Sequence, residues 1–161
     1  MRVAIIGQGY VGLTIAVSAA GAGHEVTGFD VNKDLVSQLN SGISHIEGIS
    51  DSALKSFLST NKYTASTEAS MLNGCDVVVI AVPTPLTEAR NPDLSFVHAA
   101  VELIQNNIKS PTLVINESTS YPGTLRKEIA GRITGITHCM HLHQSALTPA
   151  IPSGTQRTLH V

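Results

Sequence analysis

Little in this chain points to crosslinking, to a membrane or to a charged polymer. Two cysteines, Cys75 and Cys139, occur in 161 residues. Two thiols make no disulfide framework, so the sequence fits a reducing compartment and the expected location is cytoplasmic. Lysine and arginine number 10 against 12 acids, a net charge of −2. That leaves no basic field for nucleic acid or for an anionic membrane surface. No apolar run approaches the length of a membrane span. The first apolar run is broken at once by glycines and does not read as a signal peptide. There is no internal repeat and no low-complexity linker.

What is present is an ordinary globular composition, 42% apolar and 14% charged. The length suits one domain with a sizeable core. Short apolar runs alternate with amphipathic stretches. "RVAII" (2–6), "HEVTGFD" (24–30), "KYTAST" (62–67), "CDVVVIAVPTP" (75–85) and "PTLVINEST" (111–119) read as strands. The unbroken Val/Ile centre of the fourth predicts a strand covered on both faces, and Cys75 at its start reads as core. Helices are expected over 10–23, 32–42, 50–60, 93–108 and 122–133, with Ser50 or Asp51 capping the third and Pro122 opening the last. "EASMLNG" (68–74) gives a turn or two more. Strands joined by helices pair in parallel through right-handed crossovers, so the class is α/β with a doubly wound, Rossmann-like parallel sheet in a single domain.

"GQGYVG" (7–12) follows the first strand and opens the first helix. In that setting Gly7 makes a tight turn, Gly9 lets a pyrophosphate reach bare backbone, and Gly12 lets the helix pack closely. The phosphates would face the free N–H groups and positive end of the helix. Asp30 ends the second strand, eighteen residues after Gly12. A carboxylate there accepts hydrogen bonds from ribose hydroxyls and repels a 2′-phosphate, which favours NAD over NADP. The plainer alternative is a glycine-rich turn beside an exposed acid. Two further stretches lie past strand ends, where such folds bind ligands. One is "VPTP" (82–85), with Pro83 and Pro85 flanking Thr84; the other is "NESTSYPGT" (116–124), with hydroxyls at Ser118, Thr119 and Ser120. Each is either a ligand loop or, respectively, a rigid turn and a helix cap.

Taken together, "VAIIGQGYVGLTIA", "GFDVN", "CDVVVIAVPTP", "PDLSFVHAAV" and "INESTSYPGT" resemble, in order and spacing, the NAD-binding domain of the nucleotide-sugar 6-dehydrogenases, the UDP-glucose/GDP-mannose dehydrogenase family. The resemblance covers residues 1 to 133 and leans toward members acting on UDP-N-acetylhexosamines. It implies oxidation of a sugar C6 alcohol to the carboxylate in two hydride transfers, with two NAD per sugar. It implies that the backbone of Gly9, Tyr10 and Val11 holds the pyrophosphate and that Asp30 holds the ribose. It places Pro83 and Thr84 by the cofactor, with Ser118, and Thr119 near the nicotinamide and a catalytic water. The family often carries a base about five positions after the ribose acid. That place is Leu35 here, and Lys33 is the nearby base taken as a candidate cofactor contact.

The family's nucleophilic cysteine, its catalytic lysine and asparagine, and its sugar-nucleotide pocket belong to a C-terminal half. The resemblance therefore implies a truncated domain that binds NAD and turns nothing over alone. UDP-sugar would be a partner of the longer enzyme only. Residues 134–161 fall outside the pattern and show neither helical nor strand period. His138, Cys139, His141 and His143 fit no standard zinc spacing, and no metal is expected. Read one base out of register, codons compatible with this tail can spell the strand and loop with which the family continues. The tail is thus expected to be an out-of-frame reading; an authentic divergent terminus is the alternative, and the coding DNA decides. On the out-of-frame reading the sheet lacks its next strand, and the exposed edge invites self-association. Two rival functions stand beside this one. A β-hydroxyacid-type dehydrogenase domain shares the glycine loop, but "PTP" and "ESTSYPGT" argue against it. A non-enzymatic nucleotide-binding module is open to any such fold.

Overall fold

The computed structural model describes residues 1–88, 90–119, 123–133 and 138–141. The β-branched runs form the strands: β1 (Arg2–Ile6), β2 (Glu25–Phe29), β3 (Tyr63–Ser66), β4 (Val77–Ile80) and β5 (Leu113–Asn116). Between them run α1 (Tyr10–Gly21), α2 (Lys33–Asn40), α3 (Asp51–Ser59) and α4 (Ser95–Asn107). A single 3-10 turn, Ala69–Leu72, occupies the short helical stretch expected before β4. The side chain of Asn32 caps α2 by accepting from the N–H groups of Asp34 and Leu35. Ser50, of the two candidates, caps α3 through the Ala53 N–H.

A sixth strand, β6 (His138–His141), completes a parallel sheet of order β3-β2-β1-β4-β5-β6. This corrects the expectation that nothing would follow β5. Residues 138–141 pair with 113–116 in register. The physical reason is that a sheet edge offers unpaired N–H and C=O groups, and the ladder is made by main chain. "HCMH" needs no β-branched pattern to join it. The edge beside β5 is therefore taken by β6, which becomes the edge strand on that side. Residues 134–137 and 142–161, the rest of the expected tail, lie outside the described residues, as do the side chains of His138, Cys139 and His141.

The helix expected over 122–133 is present as a wider π-helical segment, Leu125–Ala130; Ser120 and Pro122 are outside the described residues. β4 is covered on both sides, as its composition implied. Val78 and Ile80 enter an apolar cluster with α4, while Val79 enters the opposite cluster with Leu13 and Ala16 of α1. Cys75 is buried in the first of these clusters. Among the described residues, no helix is long and apolar enough to cross a membrane.

Register places the site. Ile6 lies opposite both Phe29 and Ile80, and Ile80 lies opposite Asn116. Four strands thus end on one row, and the next residues, Gly7, Asp30, Ala81 and Glu117, all stand at the carboxyl edge. The strand order reverses between β1 and β4, the crevice where such sheets take ligands.

Candidate functional site

A cavity of about 540 Å³ opens at that reversal. Its floor is the glycine turn. Gly7 has φ +93°, a conformation that a side chain resists, and a Cβ there would stand 2.5 Å from the Ala81 carbonyl oxygen. Its N–H donates to the Phe29 carbonyl at 2.8 Å, binding the turn to β2. Gly12 is buried, and a Cβ on it would overlap the Gly7 carbonyl. So its close packing is against the turn itself, with Ala81 beyond, rather than against the strand alone. Gly9 differs from both: no atom lies within 4 Å of where its Cβ would be. Protein packing does not demand a glycine there, and the space in front of its backbone is open for a ligand.

α1 starts at this opening with Gly9 as its cap. No side chain caps it and no acid stands in its first turn. Its first N–H groups have no acceptor within the helix, and the helix dipole adds partial positive charge. Gly9, Tyr10 and Val11 all line the cavity, the last two exposed. This end of the cleft is built for an anion.

Asp30 stands beside it, half-buried. One carboxylate oxygen accepts the Gln8 N–H at 2.8 Å and the other accepts the Asn32 N–H at 2.9 Å. The acid is therefore tied directly to the glycine turn and to the cap of α2. A carboxylate has about four acceptor positions, so capacity remains toward the cavity.

The opposite wall comes from β4, α4 and β5. Val82, Pro83 and Thr84 continue from β4, and Ser118 and Thr119 follow β5. The Val82 N–H donates to the Ser118 hydroxyl at 3.0 Å, joining the two loops. Ser118 is buried by this tie, while Thr119 is exposed at the cavity surface. Of the residues singled out from sequence, Gly7, Gly9, Tyr10, Val11, Asp30, Pro83, Thr84, Ser118 and Thr119 are brought together around one space. Gly12 lies beneath it, and Lys33, exposed at the start of α2, is not among its lining residues.

Sequence reasoning missed the apolar part of this wall. Phe96, Ala99, Ala100 and Leu103 of α4 line the cavity together with Val31 and Leu35. The signal was available in α4, whose apolar residues recur at helical spacing on more than one face. It also missed Gln8, Gly28 and Tyr63, which form a buried link under the turn. A glycine in the middle of β2 was the clue, since such a residue marks close approach by another group. Among the described residues, no group of three or more His, Cys, Asp or Glu is placed to hold a metal.

The geometry suits a dinucleotide: uncapped helix amides, open backbone at Gly9, a carboxylate one residue beyond β2, and an apolar recess. Comparison with known proteins agrees. Residues 1–144 match the model of the UDP-glucose/GDP-mannose dehydrogenase family, NAD binding domain. The UDP-N-acetyl-D-mannosamine dehydrogenase of Pyrococcus horikoshii is 37% identical over 139 residues, covering 84% of this chain and 33% of that protein. The UDP-N-acetyl-D-glucosamine 6-dehydrogenase of Pseudomonas aeruginosa is 34% identical over 128 residues, covering 80% and 29% respectively. The structure of the UDP-N-acetyl-mannosamine dehydrogenase of Staphylococcus aureus superposes with a TM-score of 0.80 at 30% identity, over 88% of this chain and 36% of that one. The chain spans about a third of the length of these relatives. It belongs to the UDP-glucose/GDP-mannose dehydrogenase family, as that family's NAD-binding domain.

Proposed function

We propose that this chain holds NAD in the cleft between β1 and β4 and, as part of a longer enzyme, serves the oxidation of a UDP-N-acetylhexosamine at C6. The observation that carries the first half is the union of Gly9's open backbone with the Asp30 carboxylate, tied through Gln8. The N–H groups of Tyr10 and Val11 meet the pyrophosphate, and Asp30 accepts from the adenosine ribose. Val31 and Leu35 with Ala99 and Leu103 offer apolar walls for the adenine. Leu35 adds packing where a base would add a charge, and Lys33 contributes only long-range attraction from the rim. Thr84 and Thr119 stand toward the nicotinamide end, where Thr119 can orient a water by its hydroxyl. When bound, NAD supplies the hydride acceptor. The substrate class rests on the names of the relatives, and the active centre that uses it belongs to residues beyond those of this domain. A cytoplasmic location follows from the same role. The separate, out-of-frame status of residues 134–161 is likewise a proposal, decided by the coding DNA.

Titration of the chain with NAD, followed by calorimetry, tests this reading. Saturable one-to-one binding is expected, with Asp30→Asn weakening it about 10- to 100-fold, the range for losing a charged hydrogen-bond acceptor. A chain that folds and shows no NAD binding removes the proposal. Reduction of NAD by this chain alone with a UDP-sugar would show that the chemistry has been misplaced.

A further inference from the structure

Gln8 sits between Gly7 and Gly9 on a loop at the sheet edge, yet it is fully buried. Its side-chain Nε2 donates to the carbonyls of Ile5 at 3.0 Å and Gly7 at 3.2 Å. Its Oε1 accepts the Tyr63 hydroxyl at 2.8 Å, across 55 positions of sequence. Its backbone N–H holds Asp30. Tyr63 is on β3, with β2 between it and the turn. Gln8 crosses β2 at Gly28, where a Cβ would overlap the glutamine amide. One residue thus touches the turn, the ribose acid and an edge strand.

The direction of this link is set by chemistry. Burial, with the charge of Asp30 adding to it, pushes the Tyr63 hydroxyl well above the usual phenol range, so it remains a donor. Reversing the glutamine amide would set its oxygen against two carbonyl oxygens. Oε1 therefore faces Tyr63, and the two Nε2 protons go to the end of β1 and to the turn. A buried amide and a buried phenol are costly unless paired, and an apolar pair would fill the same space without that demand. Their pairing has its clearest use in what it holds.

We propose that Tyr63 and Gln8 are a positioning pair that fixes the glycine turn, so that its amides and the Asp30 carboxylate meet the dinucleotide together. This rests on the NAD reading above, and the test separates the two. Gln8→Met, Tyr63→Phe and the double variant are compared with the natural chain by thermal unfolding, NAD titration and hydrogen exchange at residues 7–11 without ligand. Tyr63→Phe leaves the Gln8 Oε1 unpaired, and Gln8→Met leaves the Tyr63 hydroxyl unpaired and takes a donor from the Ile5 and Gly7 carbonyls, so each lowers the melting temperature and weakens NAD about tenfold. The double variant also removes the unpaired Tyr63 hydroxyl, so it melts higher than Gln8→Met. Its NAD affinity stays about tenfold weak and its turn amides exchange faster, which a purely structural role would not produce.

A double variant that binds NAD as the natural chain does overturns the proposal. If the natural chain itself binds no NAD, the function above fails. Exchange then decides whether the pair holds the turn: faster exchange in the double variant supports it, and unchanged exchange overturns it. Should the double variant fail to unfold cooperatively, Tyr63→Phe alone carries both readouts.

Discussion

The two walls of the cleft are held in different ways. The wall from β1, α1 and β2 is braced by polar bonds: Gly7 N–H to Phe29, Gln8 N–H to Asp30, and the buried Tyr63 to Gln8. Three glycines, at 7, 12 and 28, stand where a side chain would strike a neighbour. The wall from β4, α4 and β5 is held mainly by apolar packing of Val97, Ala100, Val101 and Ile104 against the sheet. Polar bonds join its loops and strands as well, among them Val82 to Ser118, Asn116 to Ser118 and Thr112 to Cys75. The difference suits the proposed placing of NAD in the cleft. Phosphates and a ribose need donors and acceptors at fixed points, and only a rigid backbone supplies them. A flat apolar ring needs only a recess of the right shape.

The contrast can be broken or sharpened by experiment. The largest effect is expected at Gly12→Ala. The new methyl group meets the Gly7 carbonyl, so helix or turn must shift, at about 3 kcal/mol and a fall in melting temperature of roughly 10 °C. A fall of only a degree or two would mean that the braced wall is softer than its contacts indicate. Gly9→Ala comes next and separates folding from binding. Its Cβ enters open space and its φ is an ordinary −70°, so stability changes by about 1 kcal/mol or less. NAD affinity, read by calorimetry, falls by about tenfold or more as the methyl group occupies the phosphate's place. An unchanged affinity would move the pyrophosphate elsewhere.

On the second wall, Ser118→Ala leaves the Val82 N–H without its partner, at about 1 kcal/mol, visible as a few degrees in thermal unfolding. The smallest effect concerns pH. The Ser95 N–H, with the Ser95 hydroxyl, holds the Asp93 carboxyl below the ordinary carboxylate value of 3.8. A group depressed in the folded state stabilises fully above its unfolded value and loses that contribution as pH falls through the lower, folded one. Asp93→Asn should therefore lower stability slightly and uniformly at neutral pH, leaving the slope there unchanged, and flatten the curve below pH 3.8, where the two chains converge. A flattening at neutral pH instead would contradict the assignment.

Much of the braced wall was legible before any coordinates. The glycine spacing at 7, 9 and 12 and the acid at 30 follow from backbone rules that act within a few residues, or over one strand-helix-strand unit. The packed wall was legible only as elements. α4 and its apolar residues were visible, but nothing in the helix states that Phe96, Ala99 and Leu103 reach the space above Gly9. Gln8 showed the opposite failure. A polar residue between two glycines reads as exposed, and its burial depends on Tyr63, a partner 55 positions away. β6 was missed because its pairing is made by main chain, which leaves no mark in "HCMH".

By itself, then, the amino-acid order settled the alternation of strands and helices, a tight turn at Gly7 and the family to which these motifs belong. Those depend on local sterics, on periodicity and on the single contact range of one βαβ unit. The tertiary structure alone decided that four strands end on one row, that Gln8 passes over Gly28 to reach Tyr63, and that an edge beside β5 is covered. These depend on register and on contacts between distant segments, whose geometry is set only when the sheet closes and both faces are packed.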